Sequence, residues 1–306
     1  MNDLITDLRS IELETLNNLK LSKANNTIRA YKSDFKDFAG FCIKNGFRPL
    51  PSEPKIVSLY LTYMSSGGKK ISTLKRRIAS IGVVHRLKGH YIDTKHPIII
   101  ENLMGIRRKM GSYQKSKKPI LIKELKEIMK AINKVNESDE RSARDKAIIL
   151  IGFAGAFRRS ELVSINYNDL DFVPEGVKIF IKRSKTDQSG EGMIKALPYF
   201  ENKEFCPVTF LKKWLDISKI KSGLIFNISD KSVALLIKKY TYIAGFDSKK
   251  YSGHSLRSGF ATVSAEFGAS ERSIMTMTGH KTTQMVRRYI QEANLFKNNA
   301  LNKIKI

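Results

Sequence analysis

The chain has few of the residues that build metal centres and disulfide frameworks. Only two cysteines, Cys42 and Cys206, occur among 306 residues, and each lies in an apolar setting. This pattern is typical of free buried thiols in a reducing compartment. The five histidines are scattered, and no Cys/His pair stands at the spacing of metal ligands. The sequence therefore predicts no metal site and no other cofactor.

Long apolar runs are also missing. The longest run, Ala147 to Phe157, is far shorter than the ~18 residues that a membrane-spanning helix requires. The N-terminus mixes acids with apolar residues and lacks the basic segment and continuous apolar core of a signal peptide. We therefore expect a cytoplasmic protein without a membrane partner.

Acidic residues are scarce relative to basic ones. The sequence has 29 Asp and Glu against 55 Lys and Arg, a formal net charge of +26 and a pI near 9.9. Such an excess favours a polyanionic partner, because neutralising phosphates releases condensed counterions. The 42% hydrophobic content argues against disorder, and the length favours two domains. The sequence thus indicates a folded protein that binds nucleic acid.

The first third of the chain reads as a small all-helical bundle. Apolar residues recur at three- and four-residue steps from Ser22 onward, with Asn25 or Asn26 predicted as the N-cap and Gly46 as the end. Three more helical segments follow, over 55–66, 72–89 and 97–111. The polar, basic stretch 112–118 before Pro119 predicts a linker between domains 1–111 and 119–306.

The second domain is predicted to be mainly α with one small antiparallel sheet. Residues 144–165 read as a buried helix, a break at Gly155 and a second helix, and 119–133 reads as a helix before them. Residues 177–182 alternate apolar and polar side chains, and Ile194 and Ala196 continue the alternation on a returning strand. Lys185 lies at the shoulder of this hairpin. Five further helical segments fill 206–296.

Several residues of this second domain have the chemistry needed to break a phosphodiester without metal, which requires a nucleophile, fixed positive charge and a proton donor. Two pairs stand three residues apart, His254 with Arg257 and Arg158 with Glu161. Arginine offers phosphate a planar fork that stays charged. An interruption of the helix after Gly279 would let His280 and Tyr289 converge. Each pair alone is more often a surface salt bridge.

Taken in order, these residues resemble the tyrosine recombinases, also called phage integrases. The resemblance rests on Arg158, Lys185, "HSLR" at 254–257, Gly279-His280 and Tyr289, together with "GAFRRSEL" and "RRYI". It covers nearly the whole chain, because "NTIRAYKSDFKDFAGFC" is similar to the helical, SAM-like core-binding domain of the family. The branch it resembles is the two-domain Cre-like and bacterial integrase branch. Arg159 follows Arg158 where many members carry an aliphatic residue, and register with Glu161 favours Arg158.

The resemblance implies a site-specific DNA recombinase with the following residue roles. Tyr289 would attack the scissile phosphate and form a 3′-phosphotyrosyl intermediate. Arg158 and Arg257 would hold the non-bridging oxygens, and Lys185 would protonate the leaving oxygen. His254 and His280 would assist proton transfer, with Glu161 supporting the first arginine. Neither ATP nor a metal is needed for rejoining.

The resemblance also implies the partners. These are a double-stranded DNA recombination site, other copies of the chain in a tetramer on DNA formed from monomers in solution, and accessory DNA-bending proteins in some reactions. The tail after Tyr289 would dock on a neighbouring protomer, with folding back on its own protomer as the alternative. Expected DNA contacts are Arg29, Lys32, Lys75, Arg76, Arg77, Arg107, Arg108, Arg287 and Arg288.

Other functions fit parts of the same sequence. A catalytically silent DNA-binding protein of this fold explains the charge equally well but leaves the catalytic set without a use. A type IB topoisomerase would use related tyrosine chemistry without pairing two sites. A basic structural chromatin protein would need neither the hairpin lysine nor the histidines.

Overall fold

The structure, a computed structural model, describes residues 2–21, 24–111, 116–135, 138–182, 184, 191–296 and 300–304. The chain divides into two compact units, residues 1–114 and 115–306. Most of the predicted linker lies outside the described residues. At its end, the backbone N–H of Lys118 donates to Lys250 O at 2.7 Å, and Lys117 Nζ donates to Lys249 O. These two residues are therefore hydrogen-bonded within the second unit.

The described part of the first unit is helical. Its helices are α1 (Asn2–Leu21), α2 (Asn25–Lys44), α3 (Pro54–Ser66), α4 (Ile71–Leu87) and α5 (Pro97–Met110). Helix α1 was not predicted from the sequence. The predicted N-cap of α2 is wrong, because Ala24 occupies that position without a side-chain hydrogen bond. Beyond α2, Gly46 adopts a positive φ of 73°, which an L side chain rarely adopts.

The core of the first unit lies between α2, α3, α4 and α5. Its fully buried members have the helical spacing expected from the sequence, and the cluster includes Phe38, Cys42, Tyr60, Leu61, Leu74, Ile81 and Ile99. The ring centroids of Phe38 and Tyr60 lie 5.2 Å apart at a steep angle. Burying rings in this way supplies both apolar area and fixed geometry.

The second unit is built from helices around one small sheet. Its elements are α6 (Ile122–Val135), α7 (Asp139–Ala154), α8 (Arg159–Val163), β1 (Leu170–Val173), β2 (Gly176–Ile181), β3 (Met193–Pro198), α9 (Pro207–Ser218), α10 (Asp230–Ile243), α11 (Ser255–Glu266), α12 (Glu271–Thr278) and α13 (Thr283–Asn294). This confirms the predicted class, mainly α with a small antiparallel sheet. Among the described helices, none is long and apolar enough to cross a membrane. Both cysteines are free and buried.

The sheet has the order β1-β2-β3 with antiparallel neighbours, and β1 was not anticipated. The phase of β3 is also the opposite of the one that its apolar residues suggest. Lys195 pairs with Ile179 and is 1% exposed, whereas Ile194 pairs with Phe180 and is 64% exposed. Because side chains alternate along a strand, the register with β2 sends the lysine inward and the isoleucine outward.

Two helix ends position residues of the site, and both lie where the sequence predicts them. Gly155 ends α7, and the chain continues through Phe157 to the start of α8. Gly279 ends α12 in the left-handed conformation with φ of 60°, as expected for a glycine after a helix. The turn reverses the chain before α13 begins at Thr283, so His280 lies between two helices.

Candidate active site

Arg158 and Glu161 form a closely bonded pair at the start of α8. The backbone N–H of Arg158 donates to Glu161 Oε2 at 2.9 Å, and its Nη1 donates to Oε1 at 2.6 Å. Its Nη2 reaches Gly279 O at 3.3 Å. The Glu161 side chain is 1% exposed and that of Arg158 is 16% exposed. A buried carboxylate thus fixes the guanidinium in one orientation beside the turn that carries His280.

Arg159, the neighbour that the sequence leaves as an alternative, extends elsewhere. Its Nη2 lies 3.7 Å from Asp230 Oδ2, and its Nη1 donates to the carbonyl of the same residue at 3.4 Å. Its side chain is 41% exposed. Arg158, rather than Arg159, therefore contributes to the cluster of predicted site residues.

Arg257 projects from the first turn of α11 and is 1% exposed. Its Nη1 donates to Ala156 O at 2.9 Å, whereas its buried Nη2 has no hydrogen-bond partner among the described residues. Burial, and next the charge of Arg158, lower the pKa of Arg257 to about 10. The group is still protonated at neutral pH, so a positive charge and an unused donor are held in a dry environment.

His280 follows the Gly279 turn and stacks on Tyr289, with ring centroids 6.2 Å apart and 25° between the planes. Its Nδ1 is buried and has no partner among the described residues. Burial, then the charges of Arg257 and Arg158, lower the pKa of His280 to about 4. The imidazole is therefore neutral at pH 7, with one nitrogen available to an incoming group.

Tyr289 lies on α13 and points its hydroxyl toward His254 at the start of α11. Its Oη lies 3.4 Å from His254 Nε2. Burial raises the pKa of the tyrosine, against the opposing charges of Arg257 and Arg288. Burial and the arginines Arg257, Arg158 and Arg159 lower the pKa of His254. A neutral phenol thus faces a neutral imidazole that can accept its proton.

Six predicted residues, Arg158, Glu161, His254, Arg257, His280 and Tyr289, therefore surround one locus although the chain separates the first from the last by 131 positions. The arrangement combines two fixed guanidinium groups, two buried nitrogens without a hydrogen-bond partner among the described residues, and one tyrosine hydroxyl. Such a set binds a tetrahedral anion and attacks it. Lys185 lies outside the described residues, and its role stays a prediction.

Lys195, which lies on β3 next to this locus, was not predicted from the sequence. Its Nζ donates to Gly155 O at 2.6 Å and to Met277 O at 2.8 Å, and lies 3.9 Å from Glu161 Oε2. The ammonium also sits 4.5 Å above the centre of the Phe157 ring. Burial lowers the pKa of Lys195 to about 7, against the opposing charge of Glu161. No sequence pattern marks this lysine, because its burial depends on the strand register that places it opposite Ile179.

The residues predicted to contact DNA differ in exposure and in their bonds to other side chains. Exposed members are Arg29, Lys32, Lys75, Arg76, Arg107, Arg108, Arg287 and Arg288. Arg287 is paired with Glu271 at 3.3 Å, and Arg288 Nη2 donates to Ser116 Oγ at 3.1 Å. Arg77 differs from the expectation, because its side chain is 12% exposed and lies 3.3 Å from Asp34 Oδ1. Its Nη1 also lies 3.2 Å from Asp37 Oδ2, so this guanidinium is used inside the first unit.

Comparison with known proteins identifies the family of this chain. Residues 120–295 match the profile of the phage integrase family. The integrase/recombinase xerD homolog of Selenomonas ruminantium is 40% identical over 99% of this chain and 92% of its own length. The tyrosine recombinase XerC of Thermodesulfovibrio yellowstonii is 25% identical over 88% of each chain.

Solved structures agree in fold. The XerH site-specific recombinase bound to palindromic difH substrate superposes with a TM-score of 0.68 at 18% identity, covering 95% of this chain and 85% of that one. A lambda integrase dimer bound to a COC′ core site gives a TM-score of 0.62 at 15% identity, covering 93% and 75%. The chain belongs to the phage integrase family, the tyrosine recombinases, and is a site-specific DNA recombinase.

Proposed function

We propose that the chain cuts and rejoins DNA through a covalent 3′-phosphotyrosyl intermediate on Tyr289. The observation that supports this most directly is the position of Tyr289 Oη. It lies 3.4 Å from His254 Nε2, and the tyrosine is close enough to Arg257 and Arg288 for their charges to act on it. A core tyrosine would need neither a proton acceptor nor unpaired buried donors next to it. Attack by the phenolate oxygen on phosphorus forms the tyrosyl ester and breaks the bond to the 5′ oxygen.

The scissile phosphate would occupy the locus between Arg158, Arg257 and His280. Its non-bridging oxygens would accept from the free Nη2 of Arg257, from Arg158 and from His280. An entering anion raises the proton affinity of His254, which then takes the proton of Tyr289 more readily. The fixed donors need no reorganisation as charge develops on phosphorus, which is the main source of rate in such sites.

The leaving 5′ oxygen needs a proton, and we assign this role to Lys185 by resemblance to the family. The ester preserves the energy of the broken bond, so attack by a 5′-hydroxyl of the exchanged strand restores DNA and frees Tyr289. Glu161 holds Arg158 throughout. No ATP or metal enters this scheme.

The assembly that we propose follows those of the solved structures that share the fold. Lambda integrase was solved as a dimer on a core site and as a tetramer on a Holliday junction. By analogy, residues 1–111 form a core-binding domain, residues 119–306 form the catalytic domain, and a monomer in solution becomes a tetramer on DNA. The protein would act in the bacterial cytoplasm on a mobile element, with accessory DNA-bending proteins in some reactions.

The tail is proposed to link protomers. Leu295, Phe296, Leu301 and Ile304 expose 61%, 86%, 66% and 56% of their surface, and such groups concentrated in one short segment favour a contact that covers them. Docking on a neighbouring protomer would cover them. Deleting residues 293–306 should reduce the number of copies bound per DNA in mass photometry, and an unchanged stoichiometry contradicts trans docking.

The covalent mechanism is tested with a nicked suicide DNA substrate taken from the flanks of the gene. We expect a protein–DNA adduct on denaturing gels without added metal, and its loss in Tyr289→Phe. The matched control is Tyr242→Phe, because Tyr242 is 74% exposed and outside the cluster. Tight, salt-sensitive binding with no adduct in the wild type favours the silent DNA-binding protein instead.

A further inference from the structure

The first unit holds a polar cluster in which one arginine is fixed and yet half exposed. Asp34 of α2 is 2% exposed and accepts Arg76 Nε at Oδ2 and Arg76 Nη2 at Oδ1, both at 2.9 Å. Ser80 Oγ donates to Oδ2 at 2.9 Å, and Arg77 Nη1 donates to the Asp34 carbonyl at 2.9 Å. The Arg76 side chain is 50% exposed. The aspartate therefore locks the inner edge of a guanidinium whose outer edge faces solvent.

The two arginines of this cluster differ in what their remaining donors can do. Arg77 is 12% exposed and lies between Asp34 and Asp37, and Asp37 in turn accepts from Tyr60 Oη at 2.7 Å. Arg77 ties α2 to α4 from within. Arg76 adds a second tie, but it keeps both hydrogens of Nη1 and one of Nη2 directed away from the carboxylate. Two parallel donors at fixed spacing are thus presented at the surface of α4.

The balance of charges in the cluster favours a neutral hydrogen-bond acceptor over an anion as the ligand of those donors. Two arginines face two aspartates, so the cluster has no net charge with which to attract a phosphate. A buried carboxylate beside a phosphate would cost affinity. For base recognition, however, the fixed guanidinium is an advantage, because a preorganised fork loses little side-chain entropy when it forms two hydrogen bonds. In the major groove, guanine presents two acceptors, O6 and N7, to such a fork.

The surface around Arg76 leaves room for a base edge. Its neighbours on the same helical face, Ser72 one turn before and Ala79 one turn after, are both exposed and small. Free cations suited to phosphate contact lie on the same two helices, Lys75 on α4 and Arg29 and Lys32 on α2. Phosphate contacts orient a helix on the duplex, and base contacts then read the sequence.

We propose that Arg76 is a specificity-determining residue that reads one guanine of each half-site, and that Asp34 is the positioning residue that fixes its guanidinium. The inference rests on the proposed function, since it requires α4 to enter the major groove of the recombination site. It assigns a base contact to a side chain that charge alone would class with the phosphate contacts.

The test is selection of binding sites from a randomised duplex DNA library by the full chain, followed by sequencing. The variants are Arg76→Ala and Arg76→Lys, which alter a half-exposed side chain and leave Asp34 paired with Arg77, and the matched control is Lys75→Ala. We expect the wild-type motif to contain a guanine whose replacement weakens binding by about 5- to 150-fold, the range for one bidentate base contact. Both Arg76 variants should bind all four bases there within about twofold, because lysine lacks the fork. Lys75→Ala should weaken binding to all sequences alike and leave the motif unchanged, because a phosphate contact carries no sequence information.

Asp34→Asn separates positioning from simple folding. Removing one acid raises the net charge, so affinity for random duplex should stay equal or rise while the guanine preference at that position falls. Circular dichroism checks that the variant is folded, and the Arg76 variants keep the test decisive if it is not. An unchanged motif with uniformly weaker binding by Arg76→Ala makes Arg76 a phosphate contact and overturns the inference. A wild-type chain that enriches no motif contradicts site-specific recognition itself, and the inference falls with it.

Discussion

Asp34 in the first unit and Glu161 in the second are both almost fully buried carboxylates, and each binds arginine side chains. Around Asp34 the charges balance, with Arg76 and Arg77 facing Asp34 and Asp37. Around Glu161 they do not balance. Arg158, Arg257 and the basic nitrogen of Lys195 share one acid, and Arg257 Nη2 is left without a partner among the described residues.

The difference shows how the same residue types serve two purposes. A balanced cluster fixes side chains and carries no net attraction for an anion, so its use is in orientation. An unbalanced, buried cluster can bind an anion such as a phosphodiester. Its buried donors gain the most favourable hydrogen-bond free energy when an anion enters. The charge surplus, rather than an unpaired buried nitrogen, separates the two clusters, because Arg77 Nε in the balanced cluster is also buried without a hydrogen-bond partner among the described residues.

The largest expected effect is the loss of an arginine from the unbalanced cluster. Arg158→Ala should lower the rate of adduct formation by about 10²- to 10³-fold, the effect of removing one preorganised donor. Arg159→Ala is the matched control and should change the rate by less than about threefold. Single-turnover cleavage of the suicide substrate measures both. Equal losses for the two variants would contradict the assignment of Arg158.

The next effect concerns the balanced cluster. Arg77→Met removes the buried partner of Asp34 and Asp37 and should lower the free energy of unfolding of the first unit by about 3 kcal/mol. Lys75→Met, on the exposed face of the same helix, should change it by less than about 0.5 kcal/mol. Urea titration followed by circular dichroism gives both values. A stability loss from Lys75→Met equal to that from Arg77→Met would remove the distinction.

Lys195 gives a pH-dependent effect of intermediate size. Its pKa is about 7 in the folded protein, and burial is the cause. The unfolded chain, with an ordinary lysine pKa, binds more protons above pH 7, so this group makes the folded state more stable as pH rises. Relative to Lys195→Met, the wild-type free energy of unfolding should rise by at most about 1.4 kcal/mol per pH unit between pH 7 and 9 and stay level below pH 7. A constant difference would mean that the ammonium stays protonated.

The smallest effect is spectroscopic. With its pKa near 4, His280 should show no titration of its ring signals between about pH 5.5 and 8 in the free protein. Binding of a recombination site by Tyr289→Phe, which cannot be cut, should raise that pKa because phosphate favours the charged imidazole. Ring-labelled NMR, with His280→Gln to assign the signal, measures it. No upward change on binding would contradict a phosphate contact by His280.

Much of the fold could be predicted because it depends on local pattern. The helical spacing of Phe35, Phe38 and Cys42 predicted α2, and glycines at 155 and 279 predicted the two breaks that open the site. The N-cap of α2 and the strand β1 could not be predicted. The helix starts without a capping side chain, and β1 is only four residues long and is defined by its pairing with β2.

The residue types and their order along the chain by themselves determined the chemistry, because arginine forks, imidazoles and a tyrosine are the groups that phosphoryl transfer requires. Tertiary structure alone decided their use. It turned Arg159 toward Asp230, drew Arg77 into the interior beside Asp34, and buried Lys195 while exposing Ile194. Each of these choices depends on strand register or on a partner far along the chain, and neighbouring residues carry no record of either.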